Sequence, residues 1–180
     1  MKRKVLIWAV IILGLVNVTI GIGSVILSGM NGADWRSILS DMGWILALSM
    51  TSIAILIAIL RPNNPLGWIF FAVGFFQGLV SFSFQYATYT LVTSPGALPG
   101  GPLMSWLGQI AWFPGLSLML TYAVLLFPTG HLPSPRWRIF AWVCAIPIFL
   151  FGSVAVSLWP FRGLELLLHP TTLRPPTAFF

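Results

Sequence analysis

Charge is what this chain lacks. Of 180 residues, nine are Lys or Arg and three are Asp or Glu, so charged residues make up 7%, against about 25% in soluble domains. So few charges cannot cover a water-facing surface, whereas a lipid-facing surface needs none. Cysteine is nearly absent as well. Cys144 stands alone, so no intrachain disulfide forms and the redox compartment stays open. Catalytic patterns are missing too. There is no Gly-x-Ser-x-Gly element and no Ser–His–Asp set on one side of a membrane. No Gly-x-x-x-x-Gly-Lys loop offers itself to nucleotide phosphates. His131 and His169 are far apart and have no Cys or acidic neighbour at ligand spacing, so neither a metal nor another cofactor is expected. The expectation is a chain that is not itself an enzyme.

Long apolar runs fill the space that charge leaves. Hydrophobic residues make up 58% of the chain. A spanning helix needs about 20 apolar residues, and only helices or closed barrels satisfy their backbone in lipid. Runs this uniform exclude the alternating pattern of a barrel. The fold class is therefore all-α, a polytopic membrane helix bundle of about five transmembrane helices. The spans fall at about 5–27, 41–60, 66–92, 104–127 and 139–159. The connectors 28–40, 61–65, 93–103 and 128–138 each carry Gly or Pro, which break helices. The bundle occupies 1–160. The Pro-rich tail 161–180 reads as an extracytoplasmic piece cut short before a further helix. The first apolar run is too long for a signal peptide and lacks a clean cleavage site, so it reads as a retained anchor.

Basic residues set the orientation. With the N-terminus in the cytoplasm, Lys2, Arg3, Lys4, Arg61, Arg136 and Arg138 lie inside. Arg36, Arg162 and Arg174 lie outside, with all three acids, Asp34, Asp41 and Glu165. That is the positive-inside pattern, and it points to a multi-pass protein of the inner (plasma) membrane. The net charge of +6 is scattered over loops rather than gathered on a soluble face, so nucleic acid is not an expected partner. Trp44, Trp68, Trp106, Trp137, Trp142 and Trp159 fall near span ends, where indoles prefer the interface. Arg61, Trp68, Arg136, Trp137 and Arg138 form the inner-interface anchors.

The third span holds most of the misplaced polarity. Gly74, Gly78, Ser81, Gln85 and Thr88 recur at steps of three or four, with Gln77 beside Gly78, and share one helix face. Phe70, Phe71, Phe75, Phe76, Leu79 and Phe82 occupy the other faces and are expected to meet lipid. Gly74, Gly78 and Ser81 suit close helix packing. The stripe reads either as a packing seam or as a polar pocket open to the outside. In the second reading Gln77, Gln85, Tyr86 and Tyr89, with Gln109 and Trp112 of the fourth span, bind a small amphipathic or lipid-like ligand. Asn17 is expected to hydrogen-bond to a neighbouring helix. Pro114, followed by Gly115, and Pro147 are expected to bend their helices. Asp41 begins the second span, where a carboxylate suits the helix dipole. Capping is the expected role there rather than proton transfer. No acid lies at mid-membrane, which argues against an ion-coupled pump.

Two connectors carry a resemblance. Arg61-Pro62-Asn63-Asn64-Pro65-Leu66-Gly67-Trp68 resembles R-x-x-N-P-(I/L)-G-W. Leu126-Phe127-Pro128-Thr129-Gly130-His131-Leu132-Pro133-Ser134-Pro135-Arg136-Trp137 resembles L-F-P-(D/T)-G-x-L-P-S-x-R-W. Tyr86-Ala87 and Pro95-Gly96-Ala97-Leu98-Pro99-Gly100-Gly101 lie between them in register. In this order the elements resemble the N-terminal membrane region of sensor histidine kinases and related membrane proteins of actinobacteria and Chloroflexi. The resemblance covers residues 61–142. It implies a sensory input module and, as partners, the lipid bilayer, a second copy as a homodimer, and a cytoplasmic kinase domain or response regulator. The kinase parts themselves are not in this chain, and Thr129 stands where the family often has Asp. The alternative is a stand-alone membrane protein, a subunit or assembly partner of a transporter complex.

Overall fold

The computed structural model describes residues 2–127, 129–132 and 134–157, and among these every regular element is helical. Helix α1 runs Lys2–Met30, α2 Trp35–Ser40, α3 Met42–Leu60 and α4 Leu66–Thr88. A π-helical turn, Tyr89–Thr93, extends α4. Helix α5 spans Gly101–Ser117 and passes through a second π segment, Leu118–Ala123, into the short α6, Val124–Leu126. Helix α7 is Trp137–Ser157. Four stretches are long and apolar enough to cross a membrane: Lys4–Met30, Met42–Leu60, Leu66–Thr93 and Gly101–Leu126. The expected fifth span is helical, but its described apolar stretch, Trp137–Phe151, is shorter. Trp159 and the expected tail, with Arg162, Glu165, His169 and Arg174, lie outside the described residues.

Local chemistry sets the helix ends. Asp34 caps α2 by accepting from the Ser37 N–H at 2.9 Å, and Asp41 caps α3 by accepting from the Gly43 N–H at 2.8 Å. These carboxylates satisfy amide groups that a helix start leaves without partners. Capping was the role expected of Asp41. Asn64 Oδ1 accepts from the Leu66 N–H at 3.0 Å where α4 begins. Helix α5 starts three residues earlier than expected, directly after the left-handed Gly100, with Pro102 in its first turn, where a missing N–H does no harm. Pro114 and Pro147 sit inside α5 and α7 without ending either helix.

Helix α4 lies at the centre, with α1, α3 and α5 packed around it. Small residues allow the approach. On α1 the buried line is Val10, Gly14, Asn17, Gly21, Ser24 and Ser28; on α3 it is Ala47, Thr51, Ala54 and Ala58. Both advance by alternating steps of four and three, the spacing of left-handed helix packing. Gly67, Phe71, Gly74, Gly78 and Ser81 continue the pattern on α4, and Gly101, Ser105, Gly108, Ala111 and Gly115 form the corresponding line on α5.

At the middle of the seam Asn17, 2% exposed, donates to Thr51 Oγ1 at 2.9 Å and to the Phe71 carbonyl at 3.1 Å. The amide of α1 thus joins α3 and α4 at once, and the expected interhelical bond of Asn17 is present. Gly74 adjoins it. A Cβ there would stand 2.7 Å from Thr51 Oγ1 and 3.0 Å from the Ala47 carbonyl oxygen.

Phe75 is exposed, as expected, but other aromatic residues of α4 depart from expectation. Phe71 is 3% exposed and packs with Val10, Ala54 and Ala58. Phe76, Phe82 and Phe84 lie against glycines of neighbouring helices: Gly115, Gly23 and Gly108 respectively. The reason is position. A helix enclosed by three others has little face left for lipid, so its large rings fill the gaps opposite glycine.

Replacing Gly74 by Ala should destabilise the bundle by about 1–3 kcal/mol, because an added methyl in a packed seam forces displacement. The matched control is Gly29→Ala, where a Cβ meets nothing within 4 Å. Thermal melts of the detergent-solubilised protein, followed by circular dichroism, should shift for the first variant and not for the second.

Candidate functional site

Helix α1 ends at Met30, and Gly32 takes a left-handed φ of 79° in the turn that follows. The turn presents Asn31 to α4. Its Nδ2 donates to the Gln85 carbonyl at 2.9 Å and to Gln85 Oε1 at 3.0 Å, while its Oδ1 accepts from Thr93 Oγ1 at 2.8 Å. One amide therefore ties α1 to α4 and to the π turn beyond it. The Tyr89 carbonyl accepts from the Ser94 N–H at 2.8 Å. Tyr86 donates its hydroxyl to the Pro99 carbonyl at 2.8 Å, and its ring lies 5.9 Å from that of Phe82. Ser81 donates to Asp41 Oδ2 at 2.7 Å, which links the start of α3 to α4.

The residues expected to line a pocket are spread along the bundle. Gln85 and Tyr86 of α4 and Tyr89 of the π turn gather at this end. Gln77 is half-buried two turns deeper, and a Cβ on Gly115 of α5 would lie 3.9 Å from its Cδ. Gln109 is half-buried on α5 beside Gly108. Trp112 is exposed on the side facing α7, edge-on to Phe113 at 5.7 Å and to Phe151 at 6.2 Å. The structure joins Gln85 to Asn31 rather than to Gln109 or Trp112. Gly74, Gly78 and Ser81 are all buried against α1 and α3.

The opposite end is built from the two motif-bearing connectors. Gly130 is buried with φ 76°, and its N–H donates to the Leu126 carbonyl at 2.7 Å. A Cβ at Gly130 would collide with Asn64 Oδ1 and stand 2.9 Å from Pro65 Cδ. The 61–65 corner and the connector after α6 are thus pressed together. Around them Arg61, Arg136 and Arg138 are exposed. Trp68 lies 6.1 Å from Phe71, and Trp137 lies 5.6 Å from Phe140 in an edge-on pair. His131 is exposed, with Nδ1 3.0 Å from the Thr129 carbonyl oxygen.

Among the described residues no three His, Cys, Asp or Glu side chains are grouped to hold a metal. Cys144 is a half-buried free thiol. Ser105, fully buried on α5, has an Oγ without a hydrogen-bond partner. Asn31, Thr93 and the Asn64–Gly130 contact were not singled out from the sequence. Asn31-Gly32 is an Asn-Gly turn signal, and it marks the residue that reaches from the end of α1 to α4.

Asp41→Ala should destabilise the protein by about 1 kcal/mol, the usual loss for an N-cap. Ser81→Ala should lose only the link to α4. Chemical denaturation of both variants in micelles checks the order. Asp34 adds a pH dependence. The hydrogen bonds from the Ser37 hydroxyl and N–H hold its carboxyl below the ordinary 3.8. Its contribution to α2 is therefore fully present above 3.8 and is lost as pH falls through the lower folded value. Amide exchange at Ser37 should accelerate in that acid range, and it should not do so in Asp34→Asn.

No family model, no curated protein and no solved structure matches this chain.

Proposed function

We propose that this chain is the membrane-embedded input module of a bacterial signalling protein of the sensor histidine kinase type, non-catalytic by itself. It lies in the inner membrane with its N-terminus in the cytoplasm. One observation carries the reading. The two connectors that bear the resemblance, more than fifty residues apart in sequence, meet where Gly130 packs on Asn64 and Pro65. A likeness of loop composition alone gives no reason for the two to touch.

The packing supports a route for the signal. Asn31, Gln85 and Thr93 tie one end of α4, while its other end begins at the Asn64 corner. A stimulus at the Gln85, Tyr86 and Tyr89 end biases α4 between two packings, and the Arg61 corner moves with it. The stimulus shifts that balance only by its differential affinity for the two packings. A homodimer would present two such corners to an attached or associated kinase.

The test is photo-crosslinking from position 138 in cells expressing the natural protein, followed by detection of phosphohistidine. The expected product carries a histidine-autophosphorylating domain, on the same polypeptide or on a crosslinked one, or a response regulator. Recovery of a transport ATPase or secretion subunit in its place would overturn the proposal and favour the assembly-partner alternative.

A further inference from the structure

The two ends of the bundle differ in charge compensation. Both described acids, Asp34 and Asp41, cap α2 and α3 at the Asn31 end. Arg36 lies at that same end, with its guanidinium carbon 5.2 Å from the centre of the Trp35 ring. At the other end the structure collects Lys4, Arg61, Arg136 and Arg138, all exposed, with no carboxylate there among the described residues. Antiparallel packing brings them to one level. Val10 of α1 packs with Ala58 of α3, which puts Lys4 close to the level of the 61–65 corner. The Tyr122 hydroxyl donates to the Ala141 carbonyl at 2.6 Å, which fixes the start of α7 beside the last turns before α6.

The cations are also held by rigid parts. Arg61 ends α3, where its N–H donates to the Ile57 carbonyl at 2.7 Å. The backbone N–H groups of Trp137, Arg138 and Ile139 donate to the carbonyls of Ser134, Pro135 and Arg136 at 3.1–3.2 Å. The contact of Gly130 with Asn64 and Pro65 seats the connector that leads to Arg136 and Arg138 on the corner that carries Arg61. Trp68 and Trp137, 37% and 43% exposed, flank the cations with indoles suited to headgroup depth. Desolvating uncompensated guanidinium groups at a membrane surface is unfavourable without an anion. A phosphodiester with two acyl chains supplies the charge, and its chains meet the apolar helix faces below.

We propose that the end of the bundle where the 61–65 corner meets Gly130 binds the phosphate headgroup of an anionic phospholipid through Arg61, Arg136 and Arg138. This site stands apart from the signalling role and does not depend on it.

The test uses the full chain in micelles of phosphatidylcholine, with phosphatidylglycerol or inorganic phosphate added in separate arms. Native mass spectrometry counts retained lipids, and thermal melts read stabilisation. Wild type should retain phosphatidylglycerol over phosphatidylcholine, and the preference should fall as salt rises. Each of Arg61→Gln, Arg136→Gln and Arg138→Gln should lower the preference about fivefold, the scale of one basic residue at an anionic surface. Arg36→Gln, at the other end, should leave it unchanged. Equal retention of both lipids by wild type overturns the proposal, whatever the variants do. So does stabilisation by inorganic phosphate without any by phosphatidylglycerol, or an equal loss in Arg36→Gln.

Discussion

Close approach of backbones around one buried amide is the constraint on which this structure depends. Lipid tails are as apolar as leucine, so the hydrophobic effect does little to bring one membrane helix against another. Association has to come from dense packing and interhelical hydrogen bonds. The Asn17, Thr51 and Gly74 cluster uses both. Gly74 lets α3 and α4 come near enough for the amide of α1 to reach a hydroxyl on one helix and a carbonyl on the other. The alanine and glycine lines of the four long helices follow from the same need, because a larger side chain at any of them would hold the backbones apart.

The two ends have different characters. At the Asn31 end the helices are joined by side-chain hydrogen bonds, from Asn31 to Gln85, Thr93 to Asn31, and Ser81 to Asp41. At the Arg61 end the join is steric, a glycine backbone seated on Asn64 and Pro65. Polar ties exchange partners readily where water is available, whereas a left-handed glycine seated on Asn64 and Pro65 leaves no room for a side chain. The bundle is thus hydrogen-bonded at its Asn31 end and sterically locked at its Arg61 end.

Much of this fold was legible in the sequence, since an apolar run free of charge has few alternatives in lipid. The four long stretches lie within a few residues of their expected bounds. The Asp41 cap and the Asn17 bond followed from a single polar group in an apolar setting. Which face of a helix meets lipid was not legible. Phe71 and Phe82 look like lipid-facing residues until α4 proves to be central, and centrality is a property of three other helices. The seam residues Gly74, Gly78 and Ser81 could be read from spacing. The partners of Gln85 could not, because the Asn31 contact joins residues 54 positions apart and depends on where α1 stops. Short α2 was hidden in a connector whose only cue was Asp34. The Gly130 contact was hidden for a similar reason. The two connectors were each recognisable alone, but nothing in either says that they touch.

The enclosure of α4 has a consequence for biogenesis. Ribosomal synthesis delivers α1 and α3 to the bilayer first, where Gly14 meets Ile55 and Gly21 meets Leu48, while Gly23 waits for Phe82 of α4. Helix α4 brings glutamines, serines and three seam glycines, Gly67, Gly74 and Gly78, and so partitions less readily into hydrocarbon by itself. In the folded bundle it is enclosed by those two helices, with α5 closing the remaining side. Truncations that end within α4 would keep the α1 and α3 pair intact, whereas loss of α1 would leave the later helices without the amide around which they assemble.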